Sequence, residues 1–395
     1  MTCENRSTFL HDDVTLLLTD ITGKIKPKPA DERERHIQRG VHYSEMLPLE
    51  YKPSERYLAE YYRALEDFSG ETAEAVASVS EKVKSLKGEN AVLVSLARAG
   101  TPAGILIKRY FRRRYGINPP HYTISIVRGR GIDATALKHI LQRHDAGDIQ
   151  FVDGWTGKGA IAGELAKETN RIPGLEKNGR LILAVLADPA GVTDVCGTHE
   201  DIPIASAFLN STVCGLMSRT VIRPGIEKGE FHGVAFYDEL ASEDRTYEFI
   251  ERIESRIPKT VQADLRGCIP KTVQADLPGC IPKTSQADPK RCTRGIKDRF
   301  SEGGKEDDIS GIFEITKIAR RFDIRDINFI KPGIGEATRV LLRRIPDMVL
   351  IAENAKPEHV AHIVTLAEEK NVPIVRYPLV RYKACGIIKD LQAEL

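Results

Sequence analysis

Between Ile149 and Ala160 an apolar run ends in a carboxylate, Asp153, and passes through Gly154, Trp155, Thr156, Gly157, Lys158 and Gly159 into a helical segment. Backbone N–H groups that open a helix have no intrahelical acceptor. The Thr156–Gly159 turn can therefore surround an anion while its glycines let it approach closely. Asp153, at the carboxyl end of the strand, can face a sugar or a metal. A second loop leaves Val92–Leu96 for a helix, with Ala99, Gly100 and Thr101 small enough for close approach and Arg98 able to neutralise phosphate. Two such loops on neighbouring parallel strands suit a ligand with two phosphate-bearing ends. Arg128 and Arg130, in a glycine-rich segment, and Lys138 beyond it are either further charge for a leaving group on a mobile segment or a solvated basic surface. Gly154–Lys158 is not a nucleoside-triphosphatase loop, because four residues must separate the first glycine from Gly-Lys and Ser or Thr must follow.

Thiol chemistry needs a cysteine beside a histidine. Cys214 with His199 or His232 is the pairing that the sequence offers, although Cys214 also reads as a small buried hydrophobe. Cys196 and His199 lie at metal-ligand spacing, yet two ligands without two more make a poor zinc site.

The elements that must hold these residues follow from periodicity. Ser54–Tyr62 and Glu71–Leu86 read as helices. Short apolar runs then alternate with helical segments: Ala91–Leu96, Thr101–Tyr115, Tyr122–Val127, Asp133–His144, Ile149–Asp153, Lys158–Thr169 and Leu181–Ala187. This predicts an α/β fold with a parallel sheet covered on both faces. From Ile257 a twelve-residue unit occurs three times, Ile257–Cys268, Ile269–Cys280 and Ile281–Cys292, each with proline second. Solenoid repeats usually run to about 20 residues or more, so the stretch reads as a tether, extended at ~3.1 Å per residue, or else as a small binding module using Lys259, Lys271 and Lys283. Beyond it, helices at Ile312–Arg321, Glu336–Arg343 and Glu358–Lys370 interleave with strands at Asp326–Ile330, Met348–Ala352 and Pro373–Tyr377, a small α/β sandwich. The expected division is residues 1–256, a linker over 257–308 and a second domain over 309–395.

With 58 Lys and Arg against 56 Asp and Glu among 395 residues, no global basic field drives nucleic-acid binding, and any such site is a local patch. Seven cysteines, three of them in the repeat, form no disulfide framework. No window nears the ~20 apolar residues of a membrane span, and Val14–Leu18 is too short for a signal peptide. A reduced, cytoplasmic protein is expected, as a monomer or a homo-oligomer.

The order of helices, Arg-Ala-Gly loop, basic segment and strand-Asp-loop-helix resembles the type I phosphoribosyltransferases. Phe9–Leu18, Arg39–Met46, Leu96–Pro102, Val152–Ile161 and Val213–Arg219 more specifically resemble a bacterial group of predicted phosphoribosyltransferases, also labelled StiP cysteine proteases, of tellurite-resistance and stress gene clusters. The likeness covers roughly residues 8–255. It implies that Thr156, Gly157, Lys158 and Gly159 hold the 5-phosphate of phosphoribosyl pyrophosphate and that Asp153 meets the ribose. Arg98, Ala99, Gly100 and Thr101 would line the pyrophosphate side, with Arg128 and Arg130 nearby and Mg²⁺ on the leaving group. Gly154 stands where that family usually has a second carboxylate. The implied reaction is transfer of phosphoribose to or from a base-like group. A non-catalytic sensor of a phosphoribosyl ligand and RNA is one rival, and a cysteine protease another.

Gly333–Arg339, Asp347–Pro357 and Glu368–Pro373, in that order, resemble the pelota-type RNA-binding domain. The resemblance implies RNA contact through Gly333, Glu336 and Arg339, with Gly335 where that family carries asparagine, and through Lys331 with Arg343 and Arg344 on phosphates.

Overall fold

The computed structural model describes residues 6–170, 172–175, 183–222, 231–258 and 311–391. The twelve-residue repeats lie outside the described residues from position 259 onward. In chain order the first half contains β1 (Thr15–Leu16), β2 (Thr19–Asp20), α1 (Ala30–Gln38), α2 (Glu55–Asp67), α3 (Ser69–Lys87), β3 (Val92–Leu96), α4 (Gly100–Tyr115), β4 (His121–Ile124), β5 (Ile126–Val127), β6 (Gly131–Ile132), α5 (Ala134–Leu141), β7 (Ile149–Trp155), α6 (Ala160–Thr169), β8 (Leu183–Ala187), β9 (Val195–Thr198), β10 (Gly233–Val234) and α7 (Thr246–Arg256). The second half contains α8 (Gly311–Arg321), β11 (Ile330–Pro332), α9 (Ile334–Arg343), β12 (Pro346–Ala352), α10 (Pro357–Glu369), β13 (Ile374–Tyr377) and β14 (Ala384–Ile388).

Six parallel strands in the order β1-β4-β3-β7-β8-β9 form the main sheet. Every residue of β3 and β8 is buried, as expected of strands with helices on both faces. The adjacency expected of the two loop-bearing strands is present, Val94 of β3 standing opposite Phe151 of β7. The helices start where local chemistry places them. Ser54 Oγ accepts the Tyr57 N–H to cap α2, and Asp133 caps α5 through the N–H groups of Thr135 and Ala136. Strand β7 runs two residues past the expected end at Asp153, because Trp155 pairs with Ala187 of β8.

The Phe9–Leu18 motif serves the fold. Burial opposes ionisation of Asp13, yet hydrogen bonds from Arg109 and Tyr247 hold its carboxyl below the usual range, and Arg109 also reaches Glu254. The N-terminal segment is thereby tied to α4 and α7.

The second half is a four-stranded mixed sheet, β11-β14-β12-β13, with β14 antiparallel to both neighbours. Its first strand begins at Ile330, later than expected, because Ile327–Phe329 forms a 3₁₀ turn. One apolar core joins the two halves, running from Val76 and Phe208 to Ile334, Leu341 and Ile363. Phe208 stacks on His362 at 3.5 Å between ring centroids, and Glu34 receives Arg344 in a two-pronged ion pair. At the rim, Ser54 and Tyr51 donate to Glu369. Such burial of apolar area stabilises by roughly 25 cal/mol per Å². The second half is therefore docked on the first.

Candidate functional site

A cleft of about 570 Å³ opens where the halves meet, lined by Asp153, Trp155 and the Thr156–Gly159 turn on one side and by Lys331, Glu336 and Arg339 on the other. Asp153 sits at the carboxyl end of β7. Burial pushes its carboxyl up to about 6, against the positive charge of Arg339 and its hydrogen bond with the Gly154 N–H. Burial, then the charges of Lys331 and Arg128, drive the Lys158 ammonium down to about 7, while its Nζ donates to the carbonyls of Ile327 and Ile330. Lys331 falls to about 8 and Arg219 to about 9, in both cases chiefly through burial.

The expected ligand loops are largely occupied by the protein itself. Thr156 Oγ1 donates to Asp188, and Gly157 O accepts from Tyr382 Oη at 2.9 Å. Gly159 adopts a left-handed φ of +76° to open α6, where a Cβ would lie 2.9 Å from Val192. On the other loop, Arg98 is buried against Glu50 at 3.2 Å and donates to the Met217 carbonyl. Its Ala97–Arg98 peptide bond is cis. Gly100 is small because a Cβ there would meet the Val152 carbonyl at 2.4 Å, and the Thr101 hydroxyl faces Thr123 at 3.1 Å in the interior. Ala99 and Arg98 line only a smaller cavity of about 150 Å³. Arg98, Gly100 and Thr101, expected on a pyrophosphate, are instead packed into the protein, although Arg98 Nη2 is buried without a hydrogen-bond partner among the described residues.

The basic segment is the turn of a β5–β6 hairpin, fixed where Tyr43 Oη accepts the Arg128 N–H and Glu164 accepts the Gly129 N–H. Arg128 enters the cleft, whereas Arg130 turns away to pair with Glu45. Lys138 lines a separate surface hollow with Leu137 and Ile172.

The residues expected to touch RNA face the first half. Both Asp201 carboxylate oxygens accept the Ile334 N–H, at 3.0 and 3.1 Å, closing the start of α9. The Arg339 guanidinium lies 4.3 Å from the Trp155 ring centroid and donates to Glu336. A Cβ on Gly335 would come within 2.4 Å of the indole, so glycine at this position is what lets Trp155 fit. The positions expected to contact RNA thus lie against the first half, with Glu336 and Arg339 on the wall of the cleft. Arg343 bonds Asn210, and Arg344 pairs with Glu34.

The cysteine pairing also differs from expectation. Burial pushes the Cys214 thiol up despite nearby Arg98. His232 Nδ1 contacts Ser125 Oγ at 2.9 Å instead of a sulfur. His199 approaches Cys196, with Sγ 3.5 Å from Nε2 and 3.8 Å from Nδ1. His199 Nδ1 lies 3.0 Å from the Asp188 carbonyl oxygen and 3.7 Å from its carboxylate. The tautomer protonated on Nδ1 donates to that carbonyl and leaves Nε2 as acceptor for a thiol proton. Asp188 is fixed by Thr156 and by the Thr193 N–H. Cys196 is 1% exposed and the His199 side chain 55% exposed above it. One ligand atom from each of Asp188, Cys196 and His199 lies within 4.8 Å of the others, so the trio could also hold a metal ion. Adjacency of β8 and β9 brings them together, a signal the sequence carried only as Cys196-x-x-His199 spacing.

Residues 7–254 match the family model described as tellurite-like stress resistance cysteine protease StiP, more than half of the chain. The chain belongs to the StiP family. A StiP relative from Acinetobacter baylyi, named "Cysteine protease StiP", is 31% identical over 97% of this chain and 94% of its own length. Residues 309–390 of this StiP-family chain match the PELOTA RNA binding domain. Over about half of their length, "NHP2-like protein 1 homolog" from Drosophila melanogaster is 38% identical across 69 residues and "Small nuclear ribonucleoprotein associated homolog 13" from Caenorhabditis elegans 37% across 67. These matches overturn the phosphoribosyltransferase expectation: the StiP model and the full-length relative are both described as a cysteine protease, and neither as a transferase of phosphoribose. No described helix is long and apolar enough to cross a membrane.

Proposed function

We propose that this StiP-family chain is a thiol hydrolase of the cysteine-protease class with an RNA-binding second half. Cys196 is the nucleophile, His199 the general base and Asp188 the group that orients the imidazole. The carrying observation is the Cys196–His199 contact at 3.5 Å beside Asp188. It agrees with the description of the family and of the Acinetobacter relative.

In this reading the Cys196 proton passes to His199 Nε2 as the sulfur attacks a peptide carbonyl carbon. His199 then returns the proton to the departing amine, leaving a thioester on Cys196. Water, deprotonated by His199, displaces the sulfur and releases the acid. Because Cys196 is 1% exposed, a polypeptide reaches its sulfur only after a local opening that leaves His199 in place beside it.

The test is hydrolysis of fluorescent casein by the full chain. Cys196→Ala and His199→Ala should each abolish turnover, with Cys214→Ala close to wild type. Undiminished hydrolysis by Cys196→Ala, or loss confined to Cys214→Ala, would refute the assignment.

A further inference from the structure

We propose that the cleft between the two halves binds a small ligand carrying a di- or triphosphate chain, held by cations that both halves supply. Eight Lys and Arg side chains line it against four carboxylates. Six of the cations, Arg128, Lys158, Arg219, Arg325, Lys331 and Arg343, have no carboxylate ion-pair partner among the described residues. Their nearest partners are neutral: Lys158 meets two carbonyls, Arg343 the Asn210 amide, and Arg219 the face of Tyr43. Natural proteins rarely bury like charges together without a counterion, because desolvation and repulsion add. Those two causes depress Lys158 and Lys331, with Arg128 among the repelling charges on both. An anion with three or four negative charges would relieve both.

Size and shape narrow the ligand. A volume of about 570 Å³ lies in the range of small-molecule pockets, roughly 300–1,000 Å³. One face of the Trp155 indole is already covered by Arg339, and the unpaired cations direct recognition to the phosphates. Trp155 Nε1 is buried without a partner among the described residues and is a further donor at the same cleft. Three of the six cations, Arg325, Lys331 and Arg343, come from the second half, so a bound polyphosphate would clamp the halves together.

The test follows fluorescence of Trp155, the sole tryptophan, and heat on mixing as sodium tripolyphosphate or ATP is added to the full chain at pH 6.5. A saturable change in both signals is expected, with affinity lowered at least ten-fold in Lys331→Gln and in Arg128→Gln. Lys331→Arg should restore binding, and unchanged thermal melting would separate lost binding from misfolding. ATP tighter than tripolyphosphate would identify a nucleotide as the source of the phosphates, and equal affinity a free polyphosphate. Absence of heat at millimolar ligand, or binding indifferent to both glutamine variants, overturns the proposal. So does a single-stranded RNA oligonucleotide that changes Trp155 emission in a Lys331-dependent way where neither small polyanion does. None of these readouts involves Cys196, so failure here leaves the hydrolase reading untouched.

Discussion

Replacing Asp201 by alanine tests whether the second half is held in place by one carboxylate of the first. Asp201 accepts the backbone N–H groups of Ile334 and Lys383, the latter at 2.8 Å, and is buried. Removing it leaves two buried donors unpaired, at about 1–3 kcal/mol each, or roughly 4 kcal/mol together. Against this stands the cost of burying the carboxylate, which moves its ionisation from 3.8 up to about 6 despite the two N–H bonds. At pH 7 that penalty is about 3 kcal/mol, and at pH 5 about 1.5 kcal/mol. The folded-state value is raised, so the contribution of Asp201 is full below about 4 and is lost as pH rises through about 6. Net destabilisation of docking in Asp201→Ala is then about 1 kcal/mol at pH 7 and about 2.5 kcal/mol at pH 5. Amide hydrogen exchange in α9 measures this local opening. After correction for intrinsic rates, protection of Ile334–Arg343 should fall roughly five-fold at pH 7 and fifty-fold or more at pH 5. Unchanged protection, or a gap that widens as pH rises, would refute the reasoning.

Gly335→Ala should force the indole of Trp155 out of its seat, destabilising by about 1–3 kcal/mol and shifting tryptophan emission to longer wavelength; an unaltered spectrum would show that the two halves do not meet as described. Polyphosphate affinity should weaken between pH 6 and 8.5, as Lys158 and Lys331 lose protons near 7 and 8 and Asp153, ionising near 6, gains charge. The other charged groups facing the cleft are Arg128, Arg219, Arg325, Arg339, Arg343, Arg344, Asp326, Glu336 and Asp390, and calorimetry in buffers of different ionisation enthalpy should show proton uptake on binding. Asp201→Ala should also bind structured RNA more tightly than wild type, read by gel mobility, because the start of α9 is freed; equal affinity would place the RNA contact elsewhere.

Elements governed by local chemistry were legible in the sequence. Ser54 announced α2, and the apolar runs Val92–Leu96 and Ile149–Asp153 announced two neighbouring strands whose loops meet at one end. What the sequence concealed was long-range. Arg98 looks like a phosphate ligand until Glu50, 48 residues earlier, arrives beside it. Strand β14 is a short apolar run, Ala384–Ile388, with no alternation to mark it, because it is buried throughout between β11 and β12. Asp188, Cys196 and His199 converge through pairing of two edge-side strands that no local pattern announces. Gly335 read as a lost RNA contact, whereas it is the gap into which a side chain from 180 residues away inserts.

The reciprocal fit of Trp155 over Gly335 and of Glu336 over Gly157 bears on how such a chain can be rebuilt by recombination. A second half bearing asparagine at the position of Gly335 would find no seat against Trp155. The scaffold thus screens the modules fused to it, and a gene exchange that replaced one half alone would yield a chain without the cleft.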